Sequence, residues 1–193
     1  MTEMAAVMKS AFAGLLGADG SETKTIDTTS ISEIKDRERA LVSPLKGCRP
    51  AVEATLADLT GWAAPAPLLT ASDKGWTVLW TEPHQWMVQR DAADGDIVAE
   101  LIDKMGTNAA VFGVTYGRVS LEISGPNVSW VLSKHAGLDF DESVFQVGMV
   151  QSTQIAHVNV LLHRTAVDRF EITAMRSFAR HLTEALLEAC HIE

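Results

Sequence analysis

Short strand-like runs recur along most of this chain, and they restrict its fold more than any other feature. In WTVLWTE at 76–82, Trp76, Val78 and Trp80 alternate with polar or smaller residues, and a second strand-like run, HQWMVQR at 84–90, follows directly after Pro83. Side chains on a strand alternate between two faces, so this period predicts half-buried β-strands. Connections as short as these favour antiparallel or mixed pairing over parallel crossovers.

Helical patterns alternate with these strands. The sequence predicts further strands at 110–116, 118–124, 149–156, 157–164 and 169–175. It predicts helices at 51–59, within 91–106, at 126–133, and at the end of the chain, where Phe178, Leu182, Leu186 and Ala189 form one stripe. This order of elements favours an α+β fold, with a mostly antiparallel sheet and helices packed on one face.

The first residues carry an apolar stripe of their own. Its members recur at helical spacing and precede a plausible stop at Gly17: Met4, Val7, Met8, Ala11, Phe12, Leu15 and Leu16. Such a stripe must be buried, either against this chain's own domain or in a groove on a partner protein. The pattern predicts a short N-terminal amphipathic helix.

The composition turns polar between Gly17 and Val42. Ile26, Ile31 and Ile34 are too sparse there to build a core alone, so this segment is interpreted as a linker or extended arm. The sequence therefore predicts two parts: an amphipathic helix and polar arm at 1–42, and a single α+β domain at 43–193.

Charge and cysteine content narrow the possible partners. Sixteen basic and 25 acidic side chains give a formal net charge of −9, which disfavours binding to nucleic acid. Cys48 and Cys190 stand far apart, as expected for two buried thiols in a reducing compartment. No apolar run is long enough to span a bilayer, and Glu3 is atypical of a signal peptide. We expect a cytoplasmic protein without a membrane partner.

Common catalytic motifs are missing from the sequence. GLLGADG near the N-terminus lacks the dinucleotide-binding spacing, and there is neither a P-loop nor a nucleophile elbow. The strand-turn-helix segment LEISGPNVSWVLSK resembles a phosphate-binding turn, but Pro126 removes a backbone donor and suits the first helical position. We therefore expect no catalytic residue, bound cofactor or metal on this chain.

Histidines and acidic residues suggest no metal site either. His157 and His163 lie six residues apart on one predicted strand, too far to share an ion, and are interpreted as sheet-face or interface residues. Asp139, Asp141 and Glu142 lack the spacing of a calcium loop. They are interpreted as a solvated turn, anchored to the core by neighbours that include Leu138, Phe140 and Phe145.

Four of the five tryptophans fall within residues 62–86. They fit a stacking surface for a flat ligand, packing of the first hairpin, or a subunit interface. Because the N-terminal stripe also needs a covering surface, we predict a partner interface that contains Met4, Met8, Phe12, Trp76, Trp80 and Trp86.

Several segments, taken in order, resemble the gamma subunit family of heterotetrameric sarcosine oxidase, which is related to the folate-binding aminomethyltransferase (glycine-cleavage T-protein) fold. The matching segments are SPLKG, EPHQWMV, RVSLEISGPNVSWVLSKHAGLDFDESVF, HVNVLLHR and FEITAMRSFARHLTEAL. The resemblance extends from Ser43 to Cys190. It is specific because of the order and spacing of these segments, not because of any one of them. The first forty or so residues match no part of the family pattern.

The resemblance implies a non-catalytic gamma subunit that packs against a large alpha subunit, with beta and delta subunits as further partners. The complex would demethylate sarcosine, or a related N-methyl amino acid, oxidatively. FAD, FMN, NAD and tetrahydrofolate would then be bound by the partner subunits and not by this chain.

Two other functions stay open at this stage. A free-standing folate-binding domain would need an acidic side chain and a stacking aromatic, for which Glu82 with Trp80 or Trp86, or Glu122, are candidates. An enzyme of unrecognised type would need a nucleophile, metal site or paired carboxylates, and the sequence suggests none.

Overall fold

The computed structural model describes residues 9–91 and 95–191, which form eleven strands and four α-helices. The strands are β1 (Lys24–Ile26), β2 (Thr29–Ile34), β3 (Arg37–Pro44), β4 (Thr70–Asp73), β5 (Trp76–Glu82), β6 (Gln85–Asp91), β7 (Ala109–Gly113), β8 (Arg118–Ser124), β9 (Val150–Ile155), β10 (Val158–Ala166) and β11 (Arg169–Met175). The helices are α1 (Arg49–Thr60), α2 (Ile97–Met105), α3 (Val128–Ser133) and α4 (Ala179–Ala189), and a 3₁₀ turn (Arg176–Phe178) precedes α4. The predicted α+β class is confirmed.

The strands divide into two antiparallel sheets, where the sequence suggested one. The first sheet has the order β1-β2-β8-β11-β10-β9, and the second has the order β4-β5-β6-β3-β7. β7 and β8 lie in different sheets, although only residues 114–117 separate them in the chain. The chain thus passes from one sheet to the other at this point, and it also does so between β2 and β3.

Helices cover the outer face of the first sheet. α3 and α4 pack there over alternate residues of its strands. Val131 and Leu132 of α3 and Leu186 of α4 are fully buried against the sheet. Phe170 of β11 is also fully buried, and its ring lies 5.7 Å from that of Phe140 and 6.1 Å from that of Phe145. The large apolar area removed from water makes this layer the main core of the molecule.

A second core lies on the far side of the second sheet. α1 and α2 contribute Val52, Leu56 and Leu101, which are fully buried against Val78 and Val88. The Asp96 side chain caps α2 by accepting a hydrogen bond from the Val98 N–H. The helix therefore begins at Ile97, later than the start of the range 91–106 in which it was predicted. Together the two sheets and their helices form four layers in the order helix, sheet, sheet, helix.

The N-terminal segment differs from its prediction. Residues 11–15 form turns and 16–20 bends, so no helix exists in the described part of the stripe, and Met4 and Met8 lie outside the described residues. Phe12 and Leu16 are nonetheless fully buried in the core of the first sheet. Glycines at 14, 17 and 20 interrupt the helical pattern, while the apolar side chains still dock on the chain's own domain.

The polar arm expected before residue 43 is also corrected. Residues 24–26 and 29–34 form β1 and β2 of the first sheet, and residues 37–44 form β3, which lies between β6 and β7 in the second. Ile31 is fully buried in the first core. Backbone pairing with β8, β6 and β7 supplies the order that the sparse apolar pattern could not indicate.

Gly125 is the residue at which β8 turns towards α3. Its φ is +138°, and a β-carbon there would lie only 2.1 Å from the Thr28 carbonyl oxygen. The residue must therefore be glycine, and the reason is close packing against the β1–β2 hairpin. Asn127 is the N-cap of α3, so Pro126 precedes the helix instead of occupying its first position. Across 9–91 and 95–191, none of the helices is long and apolar enough to cross a membrane.

Candidate functional site

The two sheets face each other through surfaces that are mostly polar; we call this contact the seam. On the first sheet the seam face carries Arg118, Ser120 and Glu122 of β8, Arg169, Glu171 and Thr173 of β11, and Asn159, Leu161 and His163 of β10. On the second sheet it carries Arg37, Arg39 and Leu41 of β3, Met87 and Gln89 of β6, and Thr77 and Leu79 of β5. Polar residues buried between sheets are unusual, because such contacts are normally apolar.

A small apolar cluster joins the two sheets within this polar contact. Leu79, Met87, Val150 and Leu161 are buried together, and Leu41 packs against them. Clefts open on either side of this cluster. One, of about 470 Å³, is lined by Arg118, Thr173 and Asn159 among others. The other, of about 560 Å³, contains Gln89, His163 and Glu171 in its walls.

Glu171 is the centre of the polar network across the seam. One of its carboxylate oxygens, Oε2, accepts a hydrogen bond from Arg37 Nη1 at 3.3 Å, and the side chain is buried. The other oxygen accepts from Ser120 Oγ at 3.1 Å, and Ser120 Oγ also accepts from Arg39 Nη2 at 2.8 Å. Thr173 Oγ1 lies 2.6 Å from Ser120 Oγ. A carboxylate of the first sheet thereby orients two arginines of the second.

Arg39 is the most deeply buried cation of the seam. Burial lowers the pKa of its guanidinium to about 10, an effect that Glu171 opposes. Arg39 Nη1 donates to the Arg37 carbonyl, but its Nε is buried and has no hydrogen-bond acceptor among the described residues. The guanidinium stays charged near neutral pH, so Glu171 is needed as its counter-charge.

His163 lies beside Glu171 on the neighbouring strand. Burial lowers the pKa of the imidazole below its ordinary value of 6.5; the Glu171 carboxylate opposes this change, and Arg37 adds to it. Its Nε2 lies 3.4 Å from Thr70 Oγ1 of β4, which bridges the two sheets. The ring is therefore neutral at physiological pH and belongs to the seam, as a sheet-face histidine.

The predicted interface residues occupy different environments. Phe12 is fully buried in the first core and Trp86 in the second, where the Trp86 indole N–H donates to the Pro65 carbonyl at 3.1 Å. Neither ring is on the surface of the described chain. Trp76 and Trp80 are half-buried against the second core, and Arg90 lies over the Trp76 ring at 4.8 Å. Trp86 thus belongs to the core, whereas Trp76 and Trp80 pack against it and keep part of their surface exposed.

The folate candidates lie in two separate places, Glu82 with Trp80 and Trp86 on the β5–β6 hairpin and Glu122 on β8. Trp80 and Trp86 lie on the face of the second sheet that packs against helices, whereas Glu122 lies on the seam face of the first sheet. Glu82 is exposed at the end of β5. A pterin ring could not contact Glu122 and either indole together, because the second sheet separates them.

The remaining candidates have structural environments. His157 occupies the β9–β10 turn with a positive φ of 65°, and hence does not share a strand face with His163. Asp139, Asp141 and Glu142 are exposed in a turn anchored by Phe140 and Phe145, as expected. Neither cysteine forms a disulfide; Cys190 is buried, which raises the pKa of its thiol to about 11, and Cys48 is partly exposed.

The sequence did not predict the polar contact between the two sheets. In β8 and β11 the polar residues alternate with apolar ones, and such a pattern normally indicates a solvent-facing side. A weak signal exists in the charges: Arg37, Arg39, Glu122 and Glu171 all occur at alternate positions within β-rich runs. Only the pairing of the two sheets shows that these positions face one another.

Comparison with solved structures establishes the class of protein first. The fold matches that of the glycine cleavage system aminomethyltransferase T from Bartonella henselae, with a TM-score of 0.64 and 17% identity over 93% of this chain and 57% of that chain. The molecule is thus an α+β protein with the aminomethyltransferase fold.

The particular family follows from closer matches. The family model for the sarcosine oxidase gamma subunit family matches residues 46–191, and the chain belongs to that family. Sarcosine oxidase subunit gamma from Corynebacterium sp. (strain P-1) is 31% identical over 140 residues, covering 70% of this chain and 68% of the relative. The Arthrobacter sp. subunit is 28% identical with the same coverage. The resemblance found in the sequence is confirmed.

Nearly the whole chain matches one solved structure. Heterotetrameric sarcosine oxidase from Corynebacterium sp. U-96, in complex with pyrrole 2-carboxylate, contains a chain with a TM-score of 0.82 and 25% identity. The match covers 95% of this chain and 94% of that chain. Coverage this high requires the match to extend before residue 46, where the family match begins and before which β1, β2 and β3 all lie.

Proposed function

We propose that this chain is the non-catalytic gamma subunit of a cytoplasmic, heterotetrameric sarcosine-oxidase-type flavoenzyme. Its role is assembly, through packing against the large alpha subunit. The observation that carries this proposal is the near full-length match to one chain of a heterotetrameric sarcosine oxidase. A chain that shares its fold with that chain over nearly the full length can place corresponding elements against the other subunits.

The complex would convert sarcosine, or a related N-methyl amino acid, to the free amino acid and a one-carbon unit. Alpha, beta and delta subunits would complete it and would carry FAD, FMN, NAD and tetrahydrofolate.

Trp76 and Trp80 remain our candidates for the contact with a partner, together with Met4 and Met8 outside the described residues. Both indoles are half-buried, so each retains some surface. Aromatic side chains that are half-buried in a free subunit are frequent anchors of protein interfaces.

Co-purification tests the assembly role. The full chain, tagged and expressed with the genes adjacent to its own, should retain partner proteins whose absorption spectrum shows bound flavin. Recovery of the chain without any flavin-containing partner would rule the assembly role out.

A pair of variants tests the proposed contact. Trp80→Ala should reduce recovery of the partners by about tenfold or more, the usual effect of removing an aromatic anchor. Trp130→Ala is the matched control, because this exposed indole lies on α3 at the opposite outer layer. If the two variants recovered the same amount of partner protein, Trp80 would not be part of the interface. The assembly role itself would not be affected by that result.

A further inference from the structure

The outermost strand of the second sheet, β7, has one open edge, with no strand partner there among the described residues. On its other side β7 pairs with β3 in one continuous register. The Val114 N–H, just after β7, donates to the Arg39 carbonyl at 2.9 Å. Because hydrogen bonding alternates along an antiparallel strand, the even-numbered residues of β7 bond to β3. The backbone N–H and C=O groups of Ala109, Val111 and Gly113 therefore point away from the sheet.

Apolar side chains are exposed on both faces of the sheet at this edge. Phe112 is opposite Leu41 of β3, so it lies on the seam face, and it is 61% exposed. The helix α2 covers the other face, where a β-carbon at Gly113 would lie only 2.9 Å from Val98 Cγ2. Ile102 follows Val98 by one helical turn and lies on the same flank of α2, where it is 52% exposed. A strand added beside β7 would contact Phe112 on one face and Ile102 on the other.

The other three sheet edges differ from that of β7. At the outer side of β4 the Thr70 N–H donates to the Gly148 carbonyl at 3.1 Å, so this edge is bonded to the first sheet. β1 has three residues, one of which is Lys24, and β9 is polar at each of residues 151–154. Short edge strands and lysine side chains protect natural sheets from pairing with other chains. β7 contains no charged residue, proline or bulge, so it is the edge best suited to accept another strand.

We propose that an extended segment of a partner subunit adds to the open edge of β7 as a further strand of the second sheet. The outward backbone groups select an extended chain, because a helix has already paired its own N–H and C=O groups. The inference rests on the assembly role proposed above, in which this chain is one of four different subunits. β7 has five residues, so a pairing between two copies would be about 17 Å long. A contact that short buries less than the roughly 1,000 Å² of a stable interface, whereas a partner subunit adds contacts elsewhere, such as that proposed for Trp80.

Amide hydrogen exchange, measured by mass spectrometry with residue resolution on the free full chain and on the purified complex, tests the pairing directly. The outward amides of Val111 and Gly113 should exchange rapidly in the free chain and about tenfold or more slowly in the complex. The Phe112 amide faces β3 and should be protected in both, so it serves as the internal reference. Unchanged exchange of Val111 and Gly113 on assembly would overturn the proposal.

Two pairs of variants test which groups the partner contacts. Val111→Pro removes an outward N–H and leaves the bonds to β3 in place, since proline is tolerated at strand edges, and it should reduce recovery of flavin-containing partners by about tenfold or more. Val111→Thr, which keeps the N–H and nearly the same shape, is the matched control and should leave recovery unchanged. Phe112→Lys should reduce recovery as well, because it places a charge at the edge. Val167→Lys, at a turn residue that is 57% exposed, should not.

The outcomes separate this proposal from the assembly role. If the native chain retained its partners and Val111→Pro retained as much as Val111→Thr, the strand pairing would be overturned and the assembly role would stand. If the native chain retained no partner, both would be overturned. Dimers of the free chain in sedimentation that Val111→Pro abolishes would overturn the partner strand, because the edge would then bind a second copy. If Val111→Pro does not fold, hydrogen exchange and the two lysine variants decide.

Discussion

Each sheet of this molecule has one apolar face and one polar face, and both are covered. The outer faces pack against helices through apolar side chains, among them Phe170, Leu186, Leu56 and Val88. The seam instead contains Glu171, Arg37 and Arg39, with one small apolar cluster between the sheets. Two sheets are therefore joined by contacts that differ in kind from those that hold each sheet to its helices.

The apolar and the polar contacts have different roles: the first stabilise the fold, and the second set the orientation of the two sheets. Apolar burial is non-directional and supplies most of the free energy of folding, so the helical layers stabilise each half. Buried ion pairs contribute less net free energy because of desolvation, yet they require defined geometry. The seam network thus sets how the two sheets face one another, and changes to the two regions should have different effects.

The largest effect is expected in the outer core. Phe170→Ala removes a fully buried ring that contacts Phe140 and Phe145 and lies under the Arg164 guanidinium at 5.3 Å. We expect a loss of about 3–5 kcal/mol in the free energy of unfolding, measured with urea. Phe178→Ala, at a ring that is 47% exposed, is the control and should cost about 0.5 kcal/mol or less. Similar losses in both variants would contradict the assignment of the core.

A smaller effect is expected in the seam. Glu171→Gln keeps the shape of the side chain but removes the counter-charge of Arg37 and buried Arg39, so unfolding should become easier by about 2–3 kcal/mol. Glu122→Gln makes the same change directly opposite, where the ion pair is long and half exposed, and should cost less than about 1 kcal/mol. Equal costs would show that the Glu171 network does not hold the seam.

The pH dependence of stability should distinguish the seam in another way. Burial lowers the His163 pKa in the folded state, so the unfolded chain binds a proton more readily. The contribution of His163 is fully present above its ordinary pKa of 6.5 and is lost as the pH falls towards the lowered value. Glu171 and Arg37, which face the ring, act in opposite directions on this shift.

Urea unfolding between about pH 7.5 and about pH 5.5 measures this contribution. Stability of the native chain should decrease with falling pH, and His163→Gln should flatten that decrease. His84→Gln, in the exposed turn between β5 and β6, is the control and should leave the slope unchanged. An unchanged slope in His163→Gln would contradict the buried, neutral state of the imidazole.

The smallest effect is expected for an ion pair on the helical layer. Arg180 and Glu184 are four residues apart on α4 at 2.8 Å, and both side chains are at least half exposed. Arg180→Ala should change the free energy of unfolding by less than about 0.5 kcal/mol, since solvent screens such pairs. If Arg180→Ala lowered the free energy of unfolding as much as Glu171→Gln does, ion pairs of the seam would contribute no more to stability than ion pairs on the outer surface.

Prediction from the sequence was most successful for elements whose signal is local. The helix expected at 51–59 is α1, and the strands expected at 76–82 and 118–124 have those bounds in the structure. It was wrong for 24–42, where the strands depend on partners such as β8 that are about ninety residues away. It was also wrong for the described part of the N-terminal stripe, where side chains dock without a helix.

The sequence by itself determined the α+β class, the alternation of strands and helices, and the family resemblance, because periodicity and motif order are properties of neighbouring residues. Only the tertiary structure decided that the strands form two sheets and that their polar faces meet. A polar residue at alternate strand positions has the same pattern whether it faces water or another sheet. Arg37 and Glu171 are 134 residues apart in the chain, and nothing in their local sequence indicates that they touch.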